Sequence, residues 1–426
     1  MSLKHKTAQS TKWVMFYSVA QRIISFCTTI VLARILDPEV FGMYALAFVV
    51  IDGFGLFKSL GIDAALIQRK DDADEAANTA FYIIPFFGIV IYFVLTVSSP
   101  YIAEFMGDPE IVPVLRALGL IFVLNAFQRV PLVMLEKDLK FGWLSMSGIA
   151  IDILYSVLAI TFSILGWRVW SLVVAFLIKT IFGVSIVWVI SRWKPNFRFS
   201  WALAKDMFHF GKFVFMSSLI AFSISSFDKI VIPKFIDMAT LGLYTIAYNF
   251  STIVSSYLGG RINRVLYPVY SRMQDDLHDL RRNYLKVLKL LTLISFPVSV
   301  GILLVGGEFL ELAYGAKWVG AIPILKILAW LGFLHTVGST GGPIINALKK
   351  PKINFMIDGV KALIIFGGMI PAVKFFGIKG IAYVVLFNSA VAVALSQFVV
   401  TRLIKLRYIH ILASLRPAAF AALGMT

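Results

Sequence analysis

Apolar runs of about twenty residues recur along the whole chain, and that is the length an α-helix needs to cross the hydrocarbon core of a bilayer. They fall at about 13–36, 41–57, 76–98, 113–135, 143–165, 168–190, 213–236, 241–258, 290–305, 321–348, 354–373 and 378–401, an expectation of twelve membrane helices. Lipid offers the backbone no hydrogen-bonding partner, so each run must satisfy its own N–H and C=O groups as a helix. Composition agrees, with 59% of residues apolar and 15% charged, against roughly 45–50% and 25% in a soluble domain. Pro85, Pro131, Pro233, Pro297, Pro343 and Pro371 lie inside or at the ends of these runs, where membrane helices accept them as kinks. The first run is too long for a cleavable signal peptide, is interrupted by Gln21 and Arg22, and is expected to stay in the mature protein.

The 40 Lys and Arg give a net charge of +17, and their distribution sets an orientation. With the N-terminus in the cytoplasm, the segments 1–12, 58–75, 136–142, 191–212, 259–289, 349–353 and 402–416 hold 27 of them. The outer loops hold four: Arg168, Lys317, Lys374 and Lys379. That asymmetry is the positive-inside pattern, and it accounts for the basic balance through an anionic membrane surface rather than nucleic acid. The lipid bilayer is the expected partner. Cys27 is the single cysteine, and the five His are scattered without i, i+4 spacing, so no disulfide framework, metal site or other cofactor is expected. No Walker-type phosphate loop occurs. The outer loops are short, the longest spanning about 306–320, which disfavours a glycan polymerase and gives no catalytic candidates. The longest inner loop ends in Leu277, Leu280, Tyr284, Leu288 and Leu291 at helical spacing, an amphipathic stretch expected to lie along the membrane surface before the ninth span.

An offset of 200 aligns residues 12–47 with 212–247 at 11 identities in 36 ungapped positions, among them Ser18/Ser218, Ser25/Ser225, Asp37/Asp237, Gly42/Gly242 and Tyr44/Tyr244. A weaker echo at offset 210 pairs 113–118 with 323–328. Six helices separate the copies, an even number, so both enter the membrane in the same sense, the parallel-repeat plan of secondary transporters. The expected fold is all-α: two six-helix lobes, 1–200 and 201–405, around a central cleft exposed alternately to each side, with 406–426 as the start of a C-terminal helix pair cut short.

Nine basic residues fall within spans, each costing about 2.5–3.5 kcal/mol at a helix centre, so a deep one needs a partner or a purpose. Arg34, Arg116, Arg129, Lys234 and Lys326 lie near span ends and can snorkel, and Lys361 has Asp358 three residues before it on the same face. Arg22 and Lys179 are about 15 Å from the cytoplasmic ends of their helices. Arg22 shares a face with Ser18, Ser25 and Thr29, the stripe of a helix lining water. Lys179 is either a cleft cation or the ion-pair partner of Asp152 on the preceding helix. Asp228 and Lys229 are adjacent, and one of the two is expected to face the cleft. Arg22, Lys179 and Lys229 are the candidate cleft cations, and Asp52, Asp152 and Asp228 the candidates for coupling to a proton or sodium ion. Asn125, Asn249, His335 and Asn388 can bridge helices or meet sugar hydroxyls. The Gly-Ser-Thr-Gly-Gly at 338–342 reads as a kink or a close helix contact.

The stretches LARILDPEVFGMYALA (32–47), GIDAALIQRKDDADEAANTAF (61–81), SFDKIVIPKFIDMATLGLYTIAYNF (226–250) and NRVLYPVYSRMQDDLHDLRRNYLK (263–286) resemble the polysaccharide transporter family. That family lies within the multidrug, oligosaccharidyl-lipid and polysaccharide exporter superfamily. The resemblance implies a multi-pass protein of the bacterial inner membrane that flips polyprenyl-pyrophosphate-linked oligosaccharide to the outer leaflet for cell-surface polysaccharide, with other polysaccharide-assembly proteins as partners. It implies a pyrophosphate role for Arg22, Lys179 and Lys229. Members generally have fourteen spans, and this chain stops at the opening of a thirteenth. The alternatives are a small-molecule or multidrug exporter of the same superfamily and, less in keeping with the short loops, a membrane glycan polymerase.

Overall fold

The computed structural model describes residues 3–58, 66, 73–137, 141–191, 193–196 and 199–423, so most of the inner segment 58–75 lies outside the described residues. Secondary structure among them is helical throughout. The chain divides into two compact units, Met1–Ser223 and Ile224–Thr426.

The first unit contains α1 (Leu3–Ile35), α2 (Pro38–Gly55), α3 (Ala73–Met106), α4 (Ile111–Lys137), α5 (Phe141–Ile164), α6 (Val169–Ser191) and the first part of α7 (Trp201–Phe235). Here α3 packs on α4, α1 on α5, and α6 on both α4 and α5. Most of these helices expose large apolar side chains, as α1 does with Phe16, Val19 and Ile23, whereas the exposed residues of α2 are Glu39 and Asp52. Two buried clusters hold the helices together. One joins Ala76, Ala80 and Ile84 of α3 to Ala126, Val130 and Val133 of α4. The other joins Leu32 of α1 and Leu36 just beyond its end to Ala159, Leu172 and Ala175. Small residues permit this closeness: a Cβ at Gly88 would stand 2.8 Å from the Phe122 carbonyl oxygen.

The second unit holds the rest of α7, then α8 (Met238–Ser251), α9 (Ile253–Arg272), α10 (Leu277–Tyr314), a 3-10 turn (Ala316–Ala321), α11 (Ile322–Leu328), α12 (Leu331–Gly338), α13 (Gly341–Ala347), α14 (Pro351–Leu403) and α15 (Tyr408–Leu423). Asp276 caps α10, accepting from the backbone N–H groups of His278 (2.9 Å) and Asp279 (3.1 Å), bonds that hold its carboxyl below the usual range.

Eight helices among the described residues are long and apolar enough to cross a membrane, or nine if one bent pair counts as a span. The protein is a multi-pass membrane protein. Three sequence expectations need correction. The eighth run is not a single rod: α8 ends at Ser251, Thr252 leaves helical geometry (φ −96°, ψ 8°), and α9 begins anew. The tenth run, 321–348, is broken into α11, α12 and α13 and bent by 41°, with hydroxyls of Thr336, Ser339 and Thr340 donating to carbonyls within it. The amphipathic stretch at 277–291 does not lie apart along the surface. It forms the opening turns of the unbroken 38-residue α10, which at 1.5 Å per residue is about 57 Å long. Its apolar stripe is covered by protein, since Leu280, Tyr284 and Leu288 pack with Tyr270, Ile344, Ile345, Val400 and Ile404.

The two runs read at 354–373 and 378–401 are both in α14, whose helical geometry is interrupted at Gly377 (φ 56°, ψ −142°). A Cβ on Gly368 would lie 3.6 Å from the Val384 side chain, whereas sixteen residues of straight helix would separate them by about 24 Å. The helix folds back on itself at Gly377. As the sequence suggests, 338–342 is both a break and a close contact: Ser339 and Thr340 separate α12 from α13, and Gly341 abuts Ser396.

Candidate functional site

Charged and polar side chains meet inside the apolar helices of each unit. In the first unit, Lys179 of α6 forms an ion pair with Asp152 of α5, Nζ to Oδ1 at 2.7 Å. The Tyr17 hydroxyl of α1 donates to the other carboxylate oxygen at 3.2 Å. The Asp152 side chain is 9% exposed and that of Lys179 is 28% exposed. Nζ also lies 5.3 Å from the centroid of Tyr155 and 6.0 Å from that of Phe176, rings whose faces attract a cation. Of the two sequence readings of Lys179, the ion pair with Asp152 is the one present here. A second link in the same direction runs from Thr28 Oγ1 to Ser156 Oγ (2.7 Å).

Neither Tyr17 nor the Thr28–Ser156 link was among the sequence candidates. Spacing could have found them: Tyr17 and Thr28 are eleven residues apart, and Asp152 and Ser156 four, each separation returning to the same helix face. Arg22 is half-buried on α1, while Ser18 of its stripe is buried and Ser25 exposed. Asp52 is exposed near the end of α2. Arg116 meets Ser99, Nε to Oγ at 3.2 Å.

In the second unit Asp228 of α7 is 5% exposed. Its carboxylate accepts from the Tyr244 hydroxyl at 2.5 Å and from the Lys229 backbone N–H at 2.9 Å. Adjacent helical residues point about 100° apart, and the two side chains diverge accordingly. Asp228 lines a cavity of about 530 Å³, and Lys229 Nζ sits 5.6 Å from the centroid of Tyr248. Other polar lining comes from His335, Asp358, Lys361, Asn388 and Ser389. Lys361 pairs with Asp358 at 2.8 Å, as their spacing predicts. His335 Nε2 lies 3.2 Å from Ser389 Oγ, bridging α12 and α14, while Asn388 Oδ1 is buried with no hydrogen-bond partner among the described residues. Tyr244, Tyr248 and Ser389 were missed by sequence reasoning. The repeat carried the signal for Tyr244, whose counterpart is Tyr44, but Thr28 occupies the position matching Asp228.

The structure thus brings Lys179 and Asp152 together in one unit, and in the other sets Asp228 on a cavity with Lys229 over a ring. Among the described residues no three His, Cys, Asp or Glu side chains are grouped to hold a metal.

Comparison with known proteins agrees with this architecture. The profile of a family described as polysaccharide biosynthesis protein matches residues 31–323. The lipopolysaccharide biosynthesis protein WzxC of Escherichia coli K12 is 27% identical, over 94% of this chain and 82% of its own length. The teichuronic acid biosynthesis protein TuaB of Bacillus subtilis 168 is 29% identical, over 82% of this chain and 72% of its own. Among solved structures, the lipid II flippase MurJ in an inward closed conformation shares the fold, with a TM-score of 0.78 at 15% identity, covering 96% of this chain and 92% of that one. With more than half of its length matched by one family profile, this multi-helix membrane protein belongs to the polysaccharide biosynthesis protein family.

Proposed function

We propose that the protein carries polyprenyl-pyrophosphate-linked oligosaccharide from the cytoplasmic to the outer leaflet of a bacterial inner membrane, by alternating access, to supply cell-surface polysaccharide. The observation that carries this reading is the set of ionic and polar groups held inside apolar helices, at the Asp152–Lys179 pair and around the Asp228 cavity. Intramembrane ionisable groups mark substrate and ion pathways. The relatives are named for lipopolysaccharide and teichuronic acid biosynthesis, and the fold neighbour is a lipid II flippase. The basic segments support a cytoplasmic N-terminus. Nothing in this activity calls for covalent chemistry, only for movement of a lipid-linked substrate between leaflets.

In this scheme Arg22, Lys179 and Lys229 meet the pyrophosphate. Arg22 offers the planar donor fork suited to phosphate oxygens. Lys179 exchanges its carboxylate partner for a phosphate, which leaves the Asp152 carboxylate open to a proton or sodium ion. Asp228 and Asp52 are the further coupling candidates. The test is removal of the gene followed by addition of a lectin or glycosidase outside the cell. Lipid-linked oligosaccharide should become inaccessible, and access should return with wild type but not with Arg22→Ala. Normal access in a strain with no second flippase would overturn the reading and turn attention to small-molecule efflux.

A further inference from the structure

We propose that a cavity at one end of the first unit binds a pyranose ring of the translocated glycan, an inference that rests on the function proposed above. The cavity holds about 460 Å³ and lies where α2 and α4 begin and α5 gives way to α6. Glu39, Glu110, Trp167, Arg168 and Trp170 line it, with Met43 contributing apolar surface. Its volume falls within the roughly 300–1,000 Å³ of small-molecule sites. In the orientation read from the basic segments, this end faces outward, where the glycan emerges.

A sugar ring presents an apolar C–H face edged by hydroxyls, and this cavity offers a partner for each. Trp167 stacks on Phe162 with centroids 4.6 Å apart and planes 8° from parallel, which fixes its indole, yet 45% of the residue remains exposed. Trp170 is 38% exposed. Both carboxylates accept hydroxyl hydrogens, and the guanidinium donates to ring or hydroxyl oxygens. Arg168 and Glu39 are only 3.5 Å apart but remain 64% and 55% exposed. A hydrated pair of that kind adds little stability, so a ligand can take up its hydrogen-bonding capacity at small cost. The turn that presents these groups is unusual: Gly166 and Arg168 both have positive φ, 81° and 46°. Tryptophans at a membrane boundary are often interfacial anchors. Anchoring, however, gives no reason for two carboxylates and a guanidinium in the same concavity.

The experiment is saturation-transfer NMR on the full chain in nanodiscs, with methyl β-glucoside, methyl β-galactoside, N-acetylglucosamine and glucuronic acid as probes. At least one probe should receive saturation at its ring C–H protons. The signal should be lost in Trp167→Ala and Trp170→Ala, and Glu39→Gln/Glu110→Gln should weaken affinity about tenfold through loss of charge-assisted bonds. The Gln double variant and Trp167→Phe guard against misfolding, since neither removes buried volume from a core. No transfer to any probe in the wild type, or undiminished transfer in the Gln variant, would overturn the proposal. The glycosidase assay separates the two readings: sugar binding without glycolipid exposure sinks the transport function and keeps the site, while exposure without sugar binding sinks the site alone.

Discussion

Lys179 and Asp152 illustrate what a buried charge requires of its surroundings. Taking either ion out of water costs several kcal/mol, and mutual attraction repays that only when geometry is close; here it is 2.7 Å, with the Tyr17 hydroxyl on the second oxygen. Removing one partner leaves the other stranded. Discounted for the 28% exposure of Lys179, Asp152→Asn or Lys179→Met should each cost about 1–3 kcal/mol. The double variant should cost less than the sum, as read from thermal unfolding in detergent. Strict additivity would mean that the two charges are not coupled. The pair was legible in the sequence because both residues lie at similar depth on consecutive helices. Tyr17 was not picked out, since its one signal, the eleven-residue spacing to Thr28, acquires meaning only once the facing helix is known. Asp228 followed the same rule: its depth was legible, its Tyr244 partner was not.

Among the elements, α10 shows where periodicity stops being informative. The spacing of Leu280, Tyr284, Leu288 and Leu291 was plain, but lipid and protein are equally apolar, so the pattern could not say which of them the stripe meets. The packing decides it. Leu288 is fully buried in its cluster and Leu290, two positions on, is 62% exposed. Leu288→Ala should therefore destabilise by about 2–5 kcal/mol, and Leu290→Ala by no more than about 0.5 kcal/mol, measured as the shift in unfolding midpoint. The break at 338–342 was legible in its glycines, but those between α8 and α9 and between α11 and α12 were harder to foresee, because neither falls at a proline. A Cβ on Gly332 would lie 2.6 Å from the Ser251 carbonyl oxygen, at the very end of α8. Such backbone proximity leaves no trace in a hydropathy profile.

Across the whole molecule, the repeat is visible in local geometry as well as identity. The break between α1 and α2 at Asp37 recurs 200 residues later between α7 and α8 at Asp237, with helices ending at 35 and 235 and resuming at 38 and 238. The two stretches differ in chemistry: Thr28, bonded to Ser156, occupies the position that corresponds to Asp228. If only the second copy carries a coupling carboxylate there, Asp228→Asn should abolish glycolipid exposure to external glycosidase. Thr28→Ala should preserve exposure and cost about 1 kcal/mol of stability from the lost hydrogen bond. Equal loss in both variants would mean that the two positions share one role.

The fold-back at Gly377 bears on how the chain is made. With a single residue turning the chain, the halves of α14 have no loop between them, and Lys374 and Lys379 flank the tip. In the orientation proposed above, with a cytoplasmic N-terminus, a ribosome-bound insertion machinery that released one half at a time would have to carry those two ammonium groups across with only half of the apolar length to offset them. On the insertion scale each weighs about 2.5–3.5 kcal/mol. Entering together as a hairpin, the two halves supply their full apolar length to offset the passage of both charges.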